Sequence, residues 1–203
     1  LYPQAVDAPQ AGAITAGQIL VEINSFANPY PFERRLISSF LTDFLRLSGN
    51  ERIIEEYDMQ PFEVNVLDKR RTLTEKLVSL FRCSLADRYI PQLSSKIRHF
   101  YDLHHLLQDD ECRHYLNSSA FADDFKSLFT HDRDSFGKPD GWRNRRFADA
   151  PILADWPGVW SALQDTYLNE LPELAYRTVP NPSEIQQSLQ ALLDIIRPVQ
   201  SQI

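Results

Sequence analysis

The sequence predicts an α+β fold that is predominantly helical, with strands near residues 18–26 and 61–67 followed by a C-terminal helical bundle. Two short stretches alternate apolar and polar residues with the period of two that is typical of a strand. Several longer stretches repeat apolar residues every three or four positions, which indicates amphipathic helices. The 203 residues suffice for one large domain or two small ones with a buried core.

The composition narrows the class of protein. Apolar residues make up 43% of the chain and charged residues 24%, as in soluble globular proteins. The net charge of −7 argues against a protein that coats nucleic acid. No apolar run is long enough to predict a membrane span. Cys83 and Cys112 form no C-x-x-C motif and no disulfide framework, which is compatible with a cytoplasmic location.

The first third of the chain contains both predicted strands. In residues 18–26, Ile19, Val21 and Ile23 share one face. Two prolines in 28–33 end that strand, and paired apolar residues predict a helix over 33–47 that Gly49 ends. Alternation predicts the second strand at 61–67.

Helices are predicted for most of the chain after the second strand. Thr72 and Glu75 fit a T-x-x-E capping box, so a helix is predicted to begin there. Further helices are predicted at 94–107, 118–130, 156–176 and 182–197, the last with Pro182 at its start and Ser183 as its cap. Residues 131–158 predict a long irregular connection.

The chain starts at Leu1, and its only methionine is Met59. A sheet of two strands is marginal by itself. We therefore expect the sequence to be part of a longer protein whose further strands precede residue 1.

Four polar residues are candidates for a functional site, each with an ordinary alternative. Glu22 lies mid-strand among apolar neighbours and is either a Mg²⁺ ligand or a residue on a solvent-facing side of the sheet. Lys76 lies in the first turns of its predicted helix and is either a phosphate ligand or an exposed lysine. Arg98 and Asp102 are four residues apart on one helix face, either as a surface ion pair or as part of an active site.

Other polar residues carry weaker signals. His99, His104 and His105 do not have the spacing of a zinc motif, and the last two are predicted to lie on the helix surface. The basic runs "KRR" at 69–71 and "GWRNRR" at 141–146 are either solvated surface charge or contacts for RNA phosphates.

The order of these features is more specific than any one of them. The sequence runs "LVEINS", "VNVLDKRRTLTEKLVSLF" and "IRHFYDLHHLL", and it ends in a tyrosine-containing helix, a proline-containing turn and a leucine-rich helix. This order resembles the nucleotidyltransferase AbiEii/AbiGii toxin family, over most of residues 18–197.

The resemblance implies a polymerase-β-like nucleotidyltransferase fold, with a partial catalytic sheet in 1–70 and a helical domain in 71–203. It implies that Glu22 binds Mg²⁺, that Lys76 and Asp102 are catalytic, and that Lys76 also contacts the nucleotide phosphates. Arg98 and Tyr101 would lie beside Asp102 at the nucleotide.

By the same resemblance, the protein would be a cytoplasmic toxin of a type IV toxin–antitoxin or phage-defence system, with a cognate antitoxin. It would transfer a nucleotide from an NTP to RNA, for which tRNA is plausible, or to a protein hydroxyl. The family's Gly-Ser and Asp-x-Asp motif is absent before Glu22, where Asp7 is the only acid. We therefore expect this polypeptide alone not to transfer a nucleotide. The alternative is a catalytically inactive helical binding module of the same family.

Overall fold

The computed structural model describes residues 31–175 and 178–202. The predicted strand at 18–26, with Glu22, lies outside the described residues. Within them the fold is α+β and mostly helical, as the sequence predicts. None of the helices in the described ranges is long and apolar enough to cross a membrane.

The described sheet is an antiparallel pair. Strand β1 (Phe32–Ile37) pairs with β2 (Phe62–Leu67), from Phe32 opposite Leu67 to Ile37 opposite Phe62. Strand β2 confirms the prediction for 61–67. The predicted helix at 33–47 is wrong in its first part, because residues 33–37 pair with a strand about 30 positions later along the chain, and a local pattern cannot show that partner.

Two short helices connect these strands. Helix α1 (Phe40–Leu47) begins after Ser39, whose hydroxyl accepts a hydrogen bond from Thr42 N–H, and α2 (Glu51–Glu56) follows Gly49 at φ 71°. This part of the chain buries few side chains. Its large exposed apolar residues are Leu36, Ile37, Phe40, Leu41, Phe44, Leu47, Ile53, Tyr57, Phe62 and Val66.

Helix α3 (Lys69–Ser84) is central to the fold and packs against five other helices. It begins three residues before the predicted start, because Asp68 caps it by accepting the Arg70 N–H at 2.8 Å. The predicted capping box is therefore wrong. Inside the helix, the Thr72 hydroxyl donates to the Asp68 carbonyl and Glu75 pairs with Arg71.

The remaining helices surround α3. Their bounds are α4 (Tyr89–Ser94), α5 (Ile97–Leu106), α6 (Asp110–Leu116), α7 (Ser119–Ser135), α8 (Pro151–Ala154), α9 (Trp156–Leu174) and α10 (Pro182–Ile196). The predictions for 94–107, 118–130, 156–176 and 182–197 are confirmed as α5, α7, α9 and α10, with shifted ends. Helices α2, α4 and α6 are too short for the periodicity to have indicated them.

Residues 131–158 are more ordered than predicted. Helix α7 continues to Ser135, two 3₁₀ turns follow at Trp142–Asn144 and Phe147–Asp149, and α8 and the first residues of α9 complete the segment. The side chains of Trp142 and Phe147 are buried in the core. The expected irregular loop is therefore wrong, since buried aromatic rings hold this segment against the bundle.

One aromatic-rich core joins the helices. Its fully buried large side chains include Trp142, Trp156, Trp160, Tyr167, Phe81, Phe100, Phe121, Phe125 and Phe129. Phe100 stacks on Trp156 with ring centroids 5.8 Å apart, which fixes α5 against α9. The face of α5 opposite this contact is left available for polar side chains.

Candidate functional site

Two of the predicted site residues meet between α3 and α5. Lys76 Nζ lies 2.6 Å from Asp102 Oδ2, and the two side chains are 24% and 37% exposed. This exposure leaves the pair accessible to a ligand. Lys76 is the eighth residue of α3, so the expectation that it lies in the first turns is wrong, and the amide groups at the helix N-terminus do not contribute to its surroundings.

Arg98 is not the partner of Asp102. The described residues contain no ion pair between them, and Arg98 is exposed although both residues belong to α5. Of the two alternatives, the surface ion pair between Arg98 and Asp102 does not form. Lys76 approaches from the neighbouring helix, and sequence spacing within α5 could not show that contact.

Tyr101 precedes Asp102 but contacts different groups. It is half-buried, packs against the apolar core, and its ring meets His105 edge-on with centroids 4.5 Å apart. Consecutive residues of a helix point about 100° apart. Within the described ranges, no hydrogen bond joins Tyr101 to Lys76 or Asp102.

His99 lies near the Lys76–Asp102 pair, and no residue pattern in the sequence assigned it a function. Burial lowers the pKa of His99 to about 4, with the charges of Lys76 and Lys96 adding to the effect and Asp102 opposing it. Its imidazole is therefore neutral at pH 7. Its Nδ1 is buried and has no hydrogen-bond partner within the described residues. The signal in the sequence was its position three residues before Asp102, on the same side of the helix.

His104 is buried, so the expectation that it lies on the helix surface is wrong. Its Nδ1 is hydrogen-bonded to the Ser188 hydroxyl at 2.7 Å and its Nε2 to Gln108 at 2.7 Å. Burial lowers the pKa of His104. These contacts tie α5 to α10 and make His104 a structural residue. Across the described residues, no group of three His, Cys, Asp or Glu side chains could hold a metal ion.

The "KRR" run is engaged with carboxylates. Its closest pairs are Lys69 with Asp109 at 2.8 Å, Arg70 with Asp68 at 2.7 Å and Arg71 with Glu75 at 2.8 Å. Each cation of this run therefore has a carboxylate partner within the protein.

The "GWRNRR" run likewise makes contacts inside the protein. Arg143 donates to the carbonyls of Phe136 and Asp134. Arg145 pairs with Asp87 at 2.9 Å and Arg146 with Asp149 at 2.6 Å. This run holds the segment around buried Trp142 in place.

Comparison with known proteins adds one finding to this geometry. A family model described as nucleotidyl transferase AbiEii toxin, type IV TA system, matches residues 2–194. Neither the curated proteins nor the solved structures contain a match to the chain. The match includes both the strand pair and the helices that carry Lys76 and Asp102. The chain therefore belongs to the AbiEii nucleotidyl transferase toxin family of type IV toxin–antitoxin systems.

Proposed function

We propose that this protein acts in the cytoplasm as a toxin that transfers a nucleotide from an NTP to RNA, with tRNA as a plausible acceptor, or to a protein hydroxyl. A cognate antitoxin would restrain it. Lys76 would contact the nucleotide phosphates and Asp102 would hold Lys76 in position. The observation that carries the proposal is the 2.6 Å contact between these side chains on two different helices.

The chemistry of the pair suits a phosphate. A lysine ammonium group has three N–H donors, and Asp102 takes one of them. The other two remain for phosphate oxygens, and the flexible stem of lysine lets the charge follow the ligand. Because both side chains are partly exposed, a nucleotide could approach without displacing the core.

The groups beside Lys76 include one carboxylate and one uncharged imidazole. His99 is neutral and adds no competing charge, and Asp102 is the carboxylate bonded to the ammonium group. Arg98 belongs to α5, like Asp102, and its exposed side chain could reach a bound nucleotide from solvent. We include Arg98 and Tyr101 in the proposed nucleotide site because of their places in "RHFYDL".

Within the described part of the chain, no group of three or more His, Cys, Asp or Glu side chains could hold a metal ion. In the proposal, Glu22 would supply a carboxylate to Mg²⁺, and Glu22 lies outside the described residues.

The proposal is tested by titrating the 203-residue chain with each labelled NTP. We expect Lys76→Ala to weaken binding of the preferred NTP about tenfold or more, and Asp102→Asn to weaken it less. Glu75→Gln is the matched control, because it removes the Arg71–Glu75 pair from the same helix at similar exposure, 22% and 32%. Equal affinity in Lys76→Ala and Glu75→Gln would contradict the proposed role.

Thermal unfolding separates this role from a structural one. Ion pairs that are this exposed stabilise a protein by about 1 kcal/mol or less, so all three variants should unfold near the wild-type temperature. A large drop for Lys76→Ala alone would assign the pair to stability instead.

Transfer is assayed separately, with α-labelled NTP, Mg²⁺ and RNA. The proposed transfer requires the family's Gly-Ser and Asp-x-Asp motif, which is absent before Glu22, where Asp7 is the only acid. We therefore expect this polypeptide by itself to bind NTP without labelling RNA. Robust labelling by this polypeptide would refute that expectation. Absence of both binding and labelling would favour the inactive binding module.

A further inference from the structure

A second polar site lies at the C-terminal part of α3, next to α4 and the turn that leads into α5. It is a pocket of about 300 Å³ whose lining includes Arg82, Gln92, Lys96, Lys138 and Asp140. Arg82 belongs to α3 and Lys96 directly precedes α5. Helix α3 therefore contributes to both the pair and the pocket, and Lys96 places the pocket next to the start of α5.

Helix geometry gives the spacing between the two sites. Arg82 is six residues after Lys76 on α3, and Lys96 is six residues before Asp102 at the start of α5. Because Lys76 meets Asp102 while Arg82 and Lys96 line one pocket, the helices run antiparallel. At 1.5 Å and 100° per residue, Arg82 lies about 9 Å along α3 from Lys76 and about 120° around the helix from it.

His99 connects the two sites electrostatically. The charges of both Lys76 and Lys96 contribute to lowering the pKa of its imidazole, although burial contributes more. Both lysines therefore lie in the electrostatic surroundings of His99.

The pocket has a surplus of positive charge in a chain whose net charge is −7. Lys138 pairs with Asp140 at 2.7 Å, but both side chains are exposed, at 82% and 75%, so water weakens this attraction. Across the described residues, no carboxylate forms an ion pair with Lys96. Its ammonium group thus has no fixed anionic partner there.

Arg82 gives the pocket a fixed side. Asp132 holds one end of the guanidinium at 2.8 Å, and the ring of Phe136 lies 4.5 Å from its central carbon. Its Nε is buried and has no hydrogen-bond partner within the described ranges. A buried donor without an acceptor is costly.

We propose that Arg82, Lys96 and Lys138 form a phosphate-binding subsite. Among the described residues, no aromatic ring lines the pocket, so a base has no surface there on which to stack, and the cations favour the phosphate part of a ligand. The phosphate could belong to a free polyphosphate or to an RNA strand. The RNA source rests on the proposed function, because the strand would then extend from an acceptor end at Lys76 and Asp102.

The experiment titrates the full chain with two probes, tripolyphosphate and a short single-stranded oligoribonucleotide. Lys96→Glu is the test variant, because within the described residues the side chain of Lys96 has no ion pair to lose. Lys126→Glu is the matched control, with the same charge change at an exposed position of α7. Arg82 is left unchanged, since its removal would leave buried Asp132 without its arginine.

We expect Lys96→Glu to weaken binding of at least one probe about tenfold and Lys126→Glu to leave it nearly unchanged. For the oligonucleotide, Lys96→Ala should also reduce the slope of log affinity against log salt by about 0.7, the loss of one phosphate contact. If Lys96→Glu weakens the binding of both probes, the subsite binds phosphate in general. If it weakens only the binding of the oligonucleotide, the ligand is an RNA strand, and if it weakens only the binding of tripolyphosphate, the ligand is a free polyphosphate.

Equal affinities of wild type and Lys96→Glu for both probes would overturn the inference, as would equal weakening by Lys126→Glu. The outcome is distinguishable from that of the proposed function, which depends on NTP binding by Lys76→Ala. Lys96→Glu can leave probe binding unchanged while Lys76→Ala weakens NTP binding, and the reverse can also occur. Matching circular dichroism spectra and unfolding temperatures would show that the charge variants are folded.

Discussion

The neutral imidazole of His99 shows how single residues near the Lys76–Asp102 pair depend on their surroundings. Burial is the main cause of its low pKa, and the cations Lys76, Lys96 and Arg98 repel a proton further. Only Asp102 favours protonation. The result is a histidine that stays uncharged in the folded protein over a pH range in which it would be charged in the unfolded chain.

This difference predicts how stability depends on pH. The pKa of His99 is about 4 when folded and 6.5 in the absence of the fold, so the unfolded state binds more protons between these values. The free energy of unfolding should therefore fall as the pH drops from 6.5 towards 4, by at most about 1.4 kcal/mol per pH unit from this residue.

The variant His99→Gln tests that dependence, because glutamine is polar and does not titrate. Urea unfolding of wild type and variant across this pH range should give a shallower slope for His99→Gln. His114→Gln is the control, since His114 lies on the exposed surface of α6. Parallel slopes for wild type and His99→Gln would show that His99 is protonated in the folded protein as well.

The sequence indicated which residues belong to the candidate site but did not predict which of their side chains are in contact. The family resemblance selected Lys76 and Asp102, and the structure places their side chains 2.6 Å apart. Sequence spacing instead suggested Arg98 as the partner of Asp102, because it only compares residues within one helix. The surroundings of His99 involve Lys76 from another helix, so no local pattern contains them.

At the scale of elements, helix interiors were easier to predict than helix starts. Apolar periodicity located α5, α7, α9 and α10, because burial of one face dictates that pattern. The starts of α3 and α10 each contain more than one residue type that can cap. Thr72 and Asp68 compete in α3, and the structure selects Asp68, directly after β2. The choice depends on where the preceding strand ends.

The start of α10 gives a stability prediction. Ser183 was the predicted cap, but Asn181 is the cap, and that prediction is wrong. Asn181 Oδ1 accepts the Glu184 N–H at 3.0 Å, and the Glu184 side chain accepts the Asn181 N–H at 2.8 Å. Pro182 between them has no N–H to satisfy, which favours this start.

We expect Asn181→Ala to lower the free energy of unfolding by about 1 kcal/mol, the usual cost of losing such a cap. Ser183→Ala should cost less, since the Ser183 hydroxyl donates only to the Asn181 side chain. Urea unfolding at neutral pH compares the two variants. A larger decrease in the free energy of unfolding for Ser183→Ala than for Asn181→Ala would show that Ser183 is the cap, as the sequence predicted.

At the scale of the whole described structure, burial is unevenly distributed. The helices from α3 onward share one core in which most large apolar side chains are fully buried. In residues 32–67, by contrast, Leu45 and Ile54 are the buried apolar side chains, and many large ones are exposed. The sequence predicted helices with apolar faces in both parts, but it could not show which faces find a partner.

This contrast predicts that the two parts open at different free energies. In native-state hydrogen exchange, the amides of β1, β2, α1 and α2 should exchange about a hundredfold faster or more than those of α3, α5 and α10. The reason is that fewer buried contacts must break to expose them.

Two core variants make this test specific. Leu45→Ala should speed exchange in residues 32–67 and leave α3 and α5 nearly unchanged, because Leu45 is buried in α1. Leu77→Ala should speed exchange in the slow helices, because Leu77 is fully buried in their shared core. If Leu45→Ala accelerated all regions equally, the described chain would unfold as one cooperative unit, and the exposed apolar residues of 32–67 would not mark a weaker part of the fold.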